Sequence, residues 1–263
     1  MQSRRFRSLF VLLPGILVLG HLVLTSKGFA QPYEESAYFP IVFREAAALA
    51  SVTPQSASAT PSATPAPAVT PVPGEVSILP NYYTSVDNFD FLRVTGEVHN
   101  GTDDNLRFVG ITANFFDSGH RLVKRDFTYT YLSRVPAGTT TCFEIALRRP
   151  TTWTYFQFER PTYWTNGEPL PRLTVVGDRG VYDPETGWYE VTGQVRNDDG
   201  APVENVSPVV TLYNASGSVV GCSAVRLGAG LEPGKSGSFE LQFLSRDYSN
   251  VASYRIQVDA TAE

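Results

Sequence analysis

Two segments of this 263-residue chain repeat one another. Val94-Thr95-Gly96-Glu97-Val98-His99-Asn100 is answered by Val191-Thr192-Gly193-Gln194-Val195-Arg196-Asn197. Further on, Ala113-Asn114-Phe115-Phe116-Asp117 matches Val210-Thr211-Leu212-Tyr213-Asn214, and Phe143-Glu144-Ile145 matches Phe239-Glu240-Leu241, at almost constant spacing. Whole units therefore repeat, which restricts the chain to architectures that can be built twice in succession. Within each unit the residues alternate. Leu92, Val94, Gly96 and Val98 share one face, opposite Arg93, Thr95, Glu97 and His99; Tyr189, Val191, Gly193 and Val195 share the equivalent face, opposite Glu190, Thr192, Gln194 and Arg196. A period of two is that of a half-buried antiparallel strand. The next strand of each copy turns Val109, Ile111, Ala113 and Phe115, or Val206, Pro208, Val210 and Leu212, inward. Pro208 has no amide hydrogen to donate, so it calls for an edge position or a bulge.

Turn residues separate these strands. Asn100-Gly101-Thr102-Asp103-Asp104 and Asn197-Asp198-Asp199-Gly200 link the first pair, and Asp117-Ser118-Gly119 and Asn214-Ala215-Ser216-Gly217 close the next. Pro136-Ala137-Gly138 and Pro233-Gly234 precede the Phe-Glu-Ile and Phe-Glu-Leu strands. No stretch beyond Glu75 has a helical period. Short strands between regular turns, in units of about 100 residues, predict an all-β protein: two tandem antiparallel β-sandwiches. The first is placed at 75–167 and the second at 168–263. Gly167-Glu168-Pro169-Leu170-Pro171 forms the joint. Its brevity predicts modules set end to end with limited freedom.

The ordered set of motifs resembles the FxLYD family of bacterial and archaeal extracellular modules. That family's pattern is a Gly-x-Val-x-Asn strand end, a Phe-x-Leu-Tyr-Asp strand, an Asp-Gly-like turn, a Pro-Gly turn and a Phe-x-hydrophobic strand. The second copy matches with Gly193 to Asn197 and Leu212 to Gly217, the first with Gly96 to Asn100 and Phe115 to Gly119. Ala113 and Val210 stand where the family has its leading Phe, and Asn214 where it has Asp. The resemblance implies an immunoglobulin-like sandwich and no catalytic residues.

The N-terminus predicts export. Arg4, Arg5 and Arg7 precede an apolar run from Leu9 to Leu24, and Gly28-Phe29-Ala30 supplies small residues for cleavage before Gln31. Residues 1–30 are thus read as a signal peptide and the chain as secreted, extracellular or displayed at the cell surface. The alternative, an uncleaved anchor, would bring the chain to a membrane, but the run is short for a span of about 20 residues. Residues 31–74 form a linker rich in Pro, Thr, Ser and Ala, preceded by the short apolar element Tyr38-Phe39-Pro40-Ile41-Val42. From Ser51 to Gly74 this composition cannot bury enough apolar surface to order itself, and as polyproline II it would reach roughly 70 Å, at about 3.1 Å per residue. Taking the four basic residues of positions 1–30 from the chain's 21 basic and 26 acidic leaves a net charge of −9. An acidic chain without basic clusters repels phosphate backbones, so nucleic acid is not an expected partner.

Little in the sequence is suited to catalysis. His99 and His120 lack the spaced partners zinc requires, and there is no nucleophile elbow, phosphate loop or metalloprotease motif. No enzyme activity and no cofactor are expected. The acidic pairs Asp103-Asp104 and Asp198-Asp199 recur in equivalent loops and are calcium candidates, although Asp is also a common turn residue and neither loop holds a full ligand set. The two cysteines of the mature chain, Cys142 and Cys222, occupy non-equivalent positions. Two separate thiols is the preferred reading, and a bridge between the copies is the alternative in an oxidising compartment. Tyr82, Tyr83, Tyr163 and Trp164 are the candidate binding residues, since exposed rings stack on sugars or anchor proteins. The competing assignment puts Trp153 and Tyr155 in the first core and Tyr163 and Trp164 at the joint. The expected function is that of a non-enzymatic binding or adhesion module contacting an unknown protein or glycan of the cell envelope. Its alternatives are a carbohydrate-binding accessory module and a structural spacer without a ligand.

Overall fold

The computed structural model describes residues 72–165, 168 and 171–262, so the proposed signal peptide and almost all of the linker lie outside the described residues. The chain is all-β, built from antiparallel sheets packed as β-sandwiches. In the first copy the strands are β1 (Val76–Ile78), β2 (Tyr83–Val86), β3 (Phe91–Asn100), β4 (Leu106–Phe116), β5 (Leu122–Tyr129), β6 (Arg134–Val135), β7 (Thr140–Arg148), β8 (Tyr155–Phe158) and β9 (Thr162–Thr165). The second copy has β10 (Leu173–Asp183), β11 (Trp188–Asn197), β12 (Val203–Asn214), β13 (Val219–Ala224), β14 (Ser236–Phe243) and β15 (Val251–Ala262).

Each copy pairs two sheets. In the first, β3 is flanked by β1 and β2 on one side and β7 on the other, while β4 pairs with β5, β6, β8 and β9. In the second, the sheets are β10–β11–β14 and β13–β12–β15. Strand β10 thus does the work of β1 and β2, taking a bulge near Gly177 (φ 63°) where the first copy breaks the strand. The inward rows read from the alternation are buried: Leu92, Val94 and Val98 face Val109, Ile111, Ala113 and Phe115, and Val191 and Val195 share a core with Val206, Val210 and Leu212. Pro208 lies on the central strand β12, just past the end of its pairing with β13, where its carbonyl accepts from the Val225 amide and no ladder bond from its own nitrogen is called for; the bulge between Glu204 and Ser207 lies immediately before it.

The repeated motif residues prove to be mutual supports. Gly96 pairs with Phe143 across β3 and β7, and a Cβ on Gly96 would stand 2.8 Å from the Phe143 ring. Gly193 and Phe239 repeat this arrangement at 2.9 Å. Asn100 and Asn197 are fully buried. The Asn100 side-chain amide donates to the carbonyls of Asp104, Val135 and Pro136, and that of Asn197 to Ala201 and Leu231. Their own carbonyls accept from Gly138 and Gly234, the positive-φ glycines of the two Pro-Gly turns. Asp117 Oδ1 accepts from the amides of Gly119 and Arg121, and Asn214 Oδ1 accepts from Ser216 and Ser218. Asn replaces Asp there without loss because only one acceptor oxygen is needed for these turn bonds.

The expectation of modules set end to end is overturned. The outer face of β3 and β7 packs against the outer face of β12, β13 and β15, so the copies stack sheet upon sheet. Thr95 and Glu97, on the polar side of β3, are therefore buried, as are Thr211 and Tyr213 opposite them. The two-thiol reading gives way as well. Cys142 projects from this face of β7 and Cys222 from the facing strand β13, their Cα atoms are 6.0 Å apart, and the sulfurs are bonded. Alternation along a strand tells which residues share a face; it does not tell that both faces are covered.

Candidate functional site: an exposed aromatic face

The contact between the copies is organised around Glu97. Its carboxylate accepts from Asn81 Nδ2 (2.7 Å), Tyr213 hydroxyl (2.6 Å) and Arg255 Nη2 (2.6 Å). Burial, and then the neighbouring Glu97 charge, push the Tyr213 hydroxyl well above the ordinary phenol range. Arg255 and Gln257 also donate to the Thr140 carbonyl. Beside them, Arg93 pairs with both Asp87 and Glu144. Burial raises the Glu144 pKa against the opposing pull of Arg93. These buried polar groups serve the seam between the copies. A cleft of about 160 Å³ at the edge of that seam is lined by Arg134, Pro136, Gln257 and Asp259, among others, and is small for an organic ligand.

The other face of the first copy is different in character. On the outer side of the β4 sheet, Phe108, Phe127, Tyr129 and Trp164 are exposed by 44, 46, 52 and 72 %. They touch in sequence: Phe108 meets Tyr129 edge-on at 6.1 Å and Trp164 at 5.8 Å, and Tyr129 meets Phe127 at 4.8 Å. Phe108, Tyr129, Thr162, Tyr163 and Trp164 line a cleft of about 320 Å³. The Arg107 guanidinium lies 5.3 Å from the Phe108 ring centre. Rings held nearly perpendicular form a corner that offers one π-face and one ring edge to a ligand.

Two local features build this corner. The first is a bulge in β4 between Arg107 and Gly110, where Phe108 takes a φ of 50°. The second copy has the same bulge, with Asn205 at φ 54°. Asn enters this left-handed region readily, whereas a bulky aromatic residue does so at a cost. Such strain is characteristic of positions that display a side chain. The second feature is Gly110, which lies beneath the Phe127 ring: a Cβ there would come within 2.6 Å of it.

Of the four candidate binding residues, only Tyr163 and Trp164 are brought together. Trp164 belongs to the aromatic face, so the assignment that packs it at the joint does not hold for it. Tyr163 lines the same cleft while packing against the first core. Tyr82 sits over Gly96 and meets Phe156 and Phe158 edge-on, closing the sandwich. Tyr83 packs on the core of the second copy beneath Arg246. Trp153 meets Phe115 edge-on and packs against the first core, and Tyr155 stacks on Phe116. Sequence reasoning missed Phe108, Phe127 and Tyr129. The spacing of Phe127 and Tyr129, two apart on the polar side of β5, was the available signal.

The carboxylates of the second acidic pair are held by the protein itself. Asp198 accepts from Arg196 Nε (2.6 Å) and from the Thr174 hydroxyl, while Asp199 accepts from the Arg172 and Gly200 amides. Those partners hold both carboxyls below the ordinary range: the Arg196 side-chain bond leads for Asp198 and the Arg172 amide for Asp199. Asp104 contributes its backbone carbonyl to the Asn100 amide. Among the described residues, no three His, Cys, Asp or Glu side chains are grouped to hold a metal ion.

No protein-family model and no curated protein matches the chain. Solved structures do. Red sea bream transglutaminase is 11 % identical with a TM-score of 0.22, covering 70 % of this chain and 29 % of that one. Exo-chitosanase CsxA from Amycolatopsis orientalis is 11 % identical with a TM-score of 0.25, covering 70 % and 26 %. The exo-β-D-glucosaminidase CsxA bound to castanospermine and australine-type inhibitors is 10 % identical with a TM-score of 0.26, covering 72 % and 26 %. The chain thus spans less than a third of the length of each. Similarity at this level carries no functional inference.

Proposed function

We propose that this chain is a secreted or surface-displayed, non-enzymatic binding protein of FxLYD-like modules, with the outer β4 face as its contact surface. The observation that carries this reading is the cluster of Phe108, Phe127, Tyr129 and Trp164, contiguous rings left in solvent on one sheet face. Monomeric soluble proteins seldom expose such patches without using them, and aromatic anchors dominate contact energetics. The Pro/Thr/Ser/Ala segment then serves as a stalk that carries the folded body away from its point of attachment. A partner in the cell envelope suits this placement. The corner between Phe108 and Trp164 also suits stacking of a sugar ring, which is the second reading.

The test is retention of the labelled mature chain on isolated cell envelopes, alongside a glycan array. A variant carrying Trp164→Ala and Tyr129→Ala should lose retention at least tenfold, whereas Tyr82→Phe should not. Glycan hits abolished by Trp164→Ala would select the sugar reading. Retention unchanged by the double variant, or turnover of a substrate by the purified chain, would overturn the proposal.

A further inference from the structure

The packing of the two copies contains an asymmetry with a consequence beyond one chain. Asn100 and Asn197 lie 97 positions apart, and the same offset relates Thr95 to Thr192, Asn114 to Thr211 and Phe116 to Tyr213. The copies therefore present equivalent faces, yet they meet through non-equivalent ones: the β3–β7 face of the first covers the β12–β13–β15 face of the second. A contact of this kind is heterologous. Each copy owns one face of each type, so among the described residues one of each remains unused. These are the outer face of β11 and β14 in the second copy and the outer face of β4 and β5 in the first. They are the counterparts of the two faces already joined.

We infer that chains of this protein stack head to tail, the β11–β14 face of one chain covering the β4–β5 face of the next. This inference rests on the reading of that face as a contact surface and names a second copy as its partner. The free β4–β5 face is built to be covered. Matching register places Phe127 where the second copy has Ala224, since Phe127 pairs with Thr112 and Ala224 with Val209. Ala224 and Val209 both pack against the first copy's core cluster. The unused position thus carries a large ring, 46 % exposed, in place of a small residue already in contact. The β3–β7 face shows that a polar face of this fold is buried once its charges are paired; there Arg93 pairs with Glu144, whereas on the β11–β14 face Glu190 stands at the Arg93 position near Glu240. Gln194 stands where Glu97 does, so docking buries no carboxylate at that position, and the two carboxylates the face does carry, Glu190 and Glu240, both accept from the Gln242 side-chain amide. At the positions of Cys142 and Cys222 stand Ser238 and Arg125, so the contact between chains has no covalent bond and is reversible. A heterologous contact whose rotation does not close generates open stacks rather than a fixed dimer.

Sedimentation velocity and light scattering on the mature chain test this. The weight-average mass should rise with concentration past twice that of the monomer. Phe127→Glu damages one face and Gln194→Arg the other, both at solvent-facing sites, with circular dichroism reporting the retained fold. Each variant alone should remain monomeric, while an equimolar mixture should assemble and stop at twice the monomer mass, because each variant keeps one intact face of the opposite kind. A monomer at every concentration would overturn the inference, as would a closed dimer or a mixture that behaves like its components. If such a chain still binds envelopes or glycans through Trp164 and Tyr129, the contact-surface reading survives and self-stacking alone fails.

Discussion

Three donors converge on the Glu97 carboxylate, one from its own copy and two from the other. The side chain is almost fully buried, so removing it strands Tyr213 and Arg255 at the seam. Glu97→Ala is expected to cost roughly 2–4 kcal/mol in urea unfolding. Glu97→Gln retains acceptor oxygen and should cost less. Asp87 contributes to the pH dependence. Burial disfavours its ionisation, but the amides of Phe91 and Phe89 and the Arg93 side chain outweigh this and hold its pKa below the ordinary value. A depressed carboxyl adds stability that is fully present above its unfolded pKa of about 3.9 and is lost as pH falls through the folded value. Thermal melts from pH 6 down to about pH 2 should therefore fall less steeply for Asp87→Asn than for the native chain, since Asn does not titrate there. The alternation of residues placed Arg93, Thr95 and Glu97 on one face correctly. The burial of Glu97 was not legible, because Tyr213 and Arg255, which close over it, lie more than a hundred positions away.

At the scale of the strand, the echo that reveals the duplication is a set of packing partners. Gly96 and Gly193 are required because a phenylalanine ring from the neighbouring strand lies across each. Gly193→Ala should cost about 1–3 kcal/mol, by overpacking against Phe239 and the Asp178 backbone. Gly200, with open space around it, should accept Ala within about 0.5 kcal/mol. Paired chemical-denaturation curves for the two variants check both expectations. Strand identity, the order of the turns and the inward rows could all be read from the sequence, since each follows from local periodicity and turn chemistry. The bulge at Phe108 could not, because nothing in Arg107-Phe108-Val109 announces a left-handed residue. Only comparison with Asn205 in the second copy makes the irregularity intelligible.

For the whole molecule, the decisive feature is that the copies share one body. The non-equivalent positions of the cysteines argued against a bridge when each copy was taken as a free-standing module. A heterologous contact demands that non-equivalence, because the meeting faces are different faces. The bridge closes a separation of 80 residues. Replacing both cysteines by Ser should lower stability by about 2–4 kcal/mol, through greater freedom of the unfolded chain. Calorimetry of the double variant beside the native chain measures it. The native chain should melt in one transition, since separating the copies exposes Thr95, Glu97, Thr211 and Tyr213 together. The aromatic face belongs to this scale too. Trp164 was visible as a candidate, but its neighbours Phe108 and Tyr129 come from two other strands, and only pairing across β4 unites them.

The sequence by itself determined the all-β class, the duplication, the turns and the two inward rows, because alternation and turn chemistry are local and act wherever the chain is. Tertiary structure alone decided which outward faces are covered, that Cys142 meets Cys222, and which of many aromatic residues stand together in solvent. Those outcomes depend on contacts between distant strands, and a period of two describes both faces of a strand while naming the partner of neither.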